Sequence, residues 1–112
     1  MPVHYSISLP DPSAARGADP HLSFTANGAQ AFAEQLQDAL RTTVLFDRWR
    51  AAQEDPDDVD PSWGVTDPEA TVSGRQADLR IDLVATTRIP GDVLKQRLRW
   101  LAGNHWELRD VR

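Results

Sequence analysis

The chain has no cysteine, and methionine and tyrosine occur once each. Without a thiol there is no disulfide, no cysteine-ligated zinc, no thiol nucleophile and no iron–sulfur cluster. Long apolar runs are also missing, which excludes a helical membrane span, and the opening residues MPVHYSISLP contain no basic leader. A soluble, cytoplasmic protein with no membrane partner is the expectation. The six glycines stand singly, so no glycine-rich loop can cradle a phosphate, and no serine sits in a nucleophile-elbow pattern. Phosphoryl transfer and triad hydrolysis therefore have no support in the sequence, and no cofactor is expected.

Basic charge is scarce in the first two thirds. Residues 1–74 hold 4 basic and 12 acidic side chains, against 8 basic and 5 acidic in residues 75–112, for a net charge of -5. Nucleic-acid binding needs a basic footprint, and the C-terminal excess is too small to supply one. A basic protein partner is the electrostatically easier association.

What is present is enough apolar material, 40% of 112 residues, for one core, so a single domain over 1–112 is expected. Val3, Tyr5, Ile7 and Leu9 alternate with His4, Ser6 and Ser8, the period of a half-buried strand. Residues 10–20, with three prolines and a glycine, read as a loop. HLSFTA, alternating Leu22, Phe24 and Ala26 with polar residues, suggests a short extra strand. Phe32, Leu36, Ala39 and Leu40 mark a helix over 27–41 with Asn27 as N-cap. Thr42, Thr43 and Val44 interrupt it, and Leu45, Phe46 and Trp49 suit a further helical turn or two, with a strand as the competing reading of 42–50.

Beyond residue 69, ATVSG and DLRIDLVATT read as a hairpin around RQA, with Leu79, Ile81, Leu83 and Ala85 facing the core. Residues 90–103 have the capping signals of a helix: Pro90 and Asp92 at the front, Gly103 past the end, and Leu94, Leu98 and Leu101 as the buried stripe. Lys95, Arg97 and Arg99 are expected on its solvated side. HWELRDV supplies a closing strand with Trp106 in the core. The order implies an α+β two-layer sandwich, ferredoxin-like βαββαβ, with helices on one face of an antiparallel sheet and the first and 78–87 strands central.

The densest feature is EDPDDVDPSWGVTDPE, residues 54–69, expected to be a loop. It sets five carboxylates between Glu54 and Asp60 among three prolines, with Trp63 in the middle. Counted from Asp58, the residues Asp58, Asp60, Ser62, Thr66 and Glu69 match the oxygen ligands of a calcium-binding EF-hand loop. The backbone does not match: Trp63 stands where that loop needs glycine, Gly64 comes one residue late, and Pro61 and Pro68 stiffen the segment. No metal site is expected. His4, His21 and His105 are widely spaced, and His4 could meet His105 only if the first and last strands pair.

These patterns lead to a small acidic, non-catalytic binding domain of inhibitor or immunity type. Asp55, Asp57, Asp58 and Asp60 engage a basic protein partner and Trp63 serves as apolar anchor. The alternative is a small-ligand-binding or enzymatic domain that dimerises through the open sheet face and uses His4, Asp82, Glu107 and Arg109.

Overall fold

Alternation of Tyr5, Ile7 and Leu9 with His4, Ser6 and Ser8 produces β1, Val3–Leu9. The computed structural model describes residues 2–112. The further elements are α1 (Ala29–Arg41), α2 (Val44–Ala51), β2 (Thr71–Ala77), β3 (Arg80–Thr87), α3 (Gly91–Ala102) and β4 (Glu107–Val111). The fold is mixed α+β: three helices and a four-stranded antiparallel sheet in the order β2-β3-β1-β4. β1 and β3 are the central pair, in register from Val3↔Thr87 to Leu9↔Ile81. No helix among the described residues is long and apolar enough to cross a membrane.

One face of the sheet carries Tyr5, Ile7, Leu9, Ile81, Leu83 and Ala85. These join Phe32, Leu36 and Leu40 of α1, Leu45 and Phe46 of α2, and Leu94, Leu98 and Leu101 of α3 in one hydrophobic core. Val44–Ala51 is helical, not extended. Its Trp49 stacks on Trp100 of α3, ring centroids 4.9 Å apart, so α2 is held by an aromatic contact that outweighs its β-branched start. α1 lies across β2 and approaches it closely at Gly74, where a Cβ would come within 2.4 Å of the Ala29 carbonyl oxygen.

Several sequence expectations are corrected. Leu79, assigned to the core, is 87% exposed, because the hairpin turn falls at Asp78–Leu79 and not around RQA. Asp78 takes a left-handed φ of 56°, which aspartate tolerates, and the Gln76 side-chain amide donates to the Asp78 and Arg80 carbonyls to close the turn. Residues 22–26 form no strand. Their buried Leu22, Phe24 and Ala26 cap the core as irregular chain, tied by Phe24 N–H to the Leu101 carbonyl at 2.8 Å. Asn27 is not the N-cap of α1. Gly28 occupies that position with φ 89°, and Gln35 accepts from the N–H groups of Thr25 and Ala26. Trp106 is only half-buried, its indole N–H donating to the Gly103 carbonyl at 2.8 Å.

The correction with most consequence is Arg97, placed by sequence on the solvated side of α3 and in fact 0% exposed. Leu94 and Leu101 lie three residues before and four after it, so helical geometry puts Arg97 on their stripe.

Candidate functional site

The acidic segment begins where α2 ends. Prolines at 56 and 61 each open a short 3-10 turn, Pro56–Asp58 and Pro61–Gly64, as the fixed φ of proline favours at a first helical position. Asp60 caps the second turn by accepting from Ser62 N–H at 2.9 Å, and these hydrogen bonds hold its carboxyl below the usual range. Gly64 serves packing: a Cβ there would meet the Phe46 ring at 2.6 Å, so only glycine lets the turn sit on α2. Trp63 docks back on the body as a half-buried side chain against the core.

Arg97 reaches into this segment from below. Its guanidinium donates to the carbonyl oxygens of Trp63 at 3.0 Å and Ala39 at 3.0 Å, and to that of Val65. Among the described residues no carboxylate pairs with it, and burial pushes its pKa down to about 10, so it stays charged at neutral pH. Its Nε has no hydrogen-bond partner among the described residues. The charge is thus solvated by three backbone dipoles, one of them near the carbonyl end of α1.

A second fastening lies at the segment's end. Asp67 is 9% exposed and accepts from Arg88 N–H and Thr87 hydroxyl at 2.9 Å each, and from Glu69 N–H at 3.1 Å. The Arg88 N–H contributes most to holding its pKa below the ordinary aspartate value. The Asp67 N–H in turn donates to the Leu40 carbonyl at 2.8 Å, which ties the loop to α1 and the end of β3 together.

N-terminal to both anchors, the carboxylates of Asp55, Asp57, Asp58 and Asp60 all face solvent. One ion pair reaches them, Arg50 to Asp57 at 3.7 Å, and Arg50 Nε–H also donates to the Pro56 carbonyl at 3.0 Å. Because Asp57 is fully exposed, that pair adds little stability. Of the residues matching an EF-hand, Asp60 is occupied in capping and the backbone runs as two 3-10 turns. Among the described residues no three of His, Asp and Glu are grouped to hold an ion.

The open sheet face carries His4, Ser6, Ser8, Asp82 and Glu107, but His4 stands four residues along β1 from Ser8 and the two acids. Register places Asp82 and Glu107 on either side of Ser8. Arg80 and Arg75 pair with Asp82 at 3.2 and 3.9 Å, and Arg109 with Glu107 at 2.8 Å. A register shift between Ser6 and Ile7 makes Arg109 the extra residue of β4, opposite no partner. His4 bonds Thr86 Oγ1 through Nδ1 at 2.9 Å and lies at the far end of the β1–β4 ladder, bonded through its backbone to Arg112. His105 precedes β4 at the opposite end, so strand pairing does not bring the two histidines together. Ser8 is buried, and its hydroxyl lacks a partner among the described residues.

Clefts indent the surface. One of about 360 Å³ lies between α1, α2, residues 22–23 and Leu101, and one of about 610 Å³ lies beside Pro10–Ser13 and the β2–β3 turn. Neither is lined by His4, Asp82, Glu107 or Arg109. Sequence reasoning missed Arg97 and the anchoring role of Asp67. The first was legible in helical spacing, whereas the second depends on Thr87 and Arg88, twenty and twenty-one residues away, and only its bond from Glu69 is local.

No protein-family model, curated protein or solved structure matches the chain.

Proposed function

We propose that the protein is a small non-catalytic binding domain that presents residues 54–69 to a basic protein partner. Asp55, Asp57, Asp58 and Asp60 form the charged surface and Trp63 stiffens its base. The observation that carries this reading is the contrast within one segment: its C-terminal half is fastened by Arg97 at Trp63 and Val65 and by Asp67, while the four aspartates that precede these points stay in solvent. A surface ordered before binding loses less conformational entropy on association, and clustered carboxylates accelerate encounter with a cationic surface. The half-buried Trp63 contributes the exposed part of its ring as an apolar contact.

The pairing of Asp82 and Glu107 with arginines of the same face leaves those carboxylates engaged, which supports the loop over the sheet as the binding surface. We read the architecture as ferredoxin-like with one inserted helix, α2. The element order and the central β1–β3 pair support that reading. Affinity purification from the native source, with wild type beside a variant carrying asparagine at residues 55, 57, 58 and 60, tests the functional proposal. A basic protein retained by wild type and lost by the variant is expected. Equal retention of every captured protein contradicts it.

A further inference from the structure

The cleft of about 360 Å³ between α1 and α2 has a floor and a rim of different chemistry. Leu22, Leu45 and Leu101 are buried residues that line it, and Val44, 51% exposed, stands at its edge. Most polar groups on the rim are used internally. Gln35 holds the Thr25 and Ala26 N–H groups, Ser23 accepts from Gly17 N–H, and the Thr42 hydroxyl donates to the Asp38 carbonyl. Two charged side chains are the exception: Asp38 of α1 and Arg48 of α2 line the same cleft, and among the described residues neither has a side-chain ion pair or hydrogen bond.

We propose that this cleft binds a small zwitterion with an apolar group, an α-amino acid of about leucine size. Opposite charges on facing helices that do not neutralise each other present complementary poles to one ligand. The ammonium is taken by Asp38, the carboxylate by the planar fork of Arg48, and the side chain by the leucine floor. The volume is at the lower end for ligand pockets, which suits a metabolite and not a larger cofactor. This site is on other elements than the acidic loop and does not depend on the loop's role.

The test is a titration of the full chain, followed by backbone amide NMR, with L-leucine, L-leucinamide and isocaproate up to roughly 20 mM, a range that reaches millimolar affinities. Leucine is expected to give saturable shifts at Leu22 and Thr42–Arg48. Leucinamide, without the carboxylate, and isocaproate, without the amine, should each bind roughly tenfold more weakly, as loss of a charge-assisted hydrogen bond requires. Asp38→Asn and Arg48→Gln should weaken leucine binding by a similar factor, and both are exposed positions where folding is retained. Absence of saturable shifts, shifts mapping elsewhere, equal binding of the three compounds, or unweakened binding in both variants would overturn the proposal.

Discussion

Arg97 donates a hydrogen bond at 3.0 Å to the carbonyl oxygen of Trp63, thirty-four residues away in sequence, from a side chain with no exposed surface. That bond joins the core of α3 to the acidic segment. It makes the segment's conformation a property of the whole fold, because the same guanidinium also holds α1 through Ala39.

Removing this clamp should therefore be severe. Arg97→Ala opens a cavity and strands three carbonyl acceptors, a combined loss of about 3 to 5 kcal/mol. Arg97→Lys keeps the charge but not the fork, and should lose about 1 to 3 kcal/mol. Urea melts followed by tryptophan fluorescence measure both. An alanine variant within about 0.5 kcal/mol of wild type, the range of surface changes, contradicts the clamp.

Asp67 predicts a pH dependence. Its folded pKa lies below the ordinary value of 3.8, chiefly because Arg88 N–H donates to its carboxylate. The unfolded chain therefore binds more protons in the window just below about pH 4, so Asp67 contributes stability above that pH and loses it as the pH falls through the folded value. Asp67→Asn should cost about 1 to 3 kcal/mol at neutral pH through weakened hydrogen bonds. It should also flatten the acid limb of stability against pH. A variant with an acid limb as steep as wild type assigns that limb to other carboxylates.

The hairpin offers a contrast between neighbours two residues apart. Ile81 is 1% exposed and Leu79 87% exposed. Ile81→Ala should cost about 2 to 5 kcal/mol, as buried truncations do, and Leu79→Ser should stay within about 0.5 kcal/mol of wild type. Comparable losses at both sites would place the turn elsewhere.

Those two residues also mark how far the sequence could be read. Alternation locates β1 and β3, whose apolar faces lie in the core, whereas β2 and β4 hold only partly buried apolar residues, and β2 runs on through the RQA expected as the turn. Alternation could not locate the turn, since Asp78 adopts a left-handed φ that no glycine announces. The 22–26 segment alternates because its apolar residues cap the core, and burial without a neighbouring strand gives the same pattern as burial within a sheet. Arg97 was misplaced for a different reason. Residue type outweighed spacing, although its distances from Leu94 and Leu101 already put it inside. The exposed aspartates of the loop were legible, but the fastening at Asp67 depends on Thr87 and Arg88, which only the folded chain brings near.

The proposed function requires the acidic segment to be a preordered surface for a cationic partner and not a set of internal ion pairs. The captured partner's dissociation constant should be measured at low and high salt for wild type and for the variant with asparagine at 55, 57, 58 and 60, with thermal melts of each. Among the described residues only Arg50 pairs with the cluster, through an exposed contact to Asp57 at 3.7 Å, so the variant's melting temperature at low salt should be unchanged or slightly raised as repulsion is relieved. Binding should weaken most at low salt, with a flatter salt dependence and a slower on-rate. A clear drop in melting temperature at low salt, or an affinity and salt slope equal to those of wild type, would contradict a partner-binding role for the acidic segment.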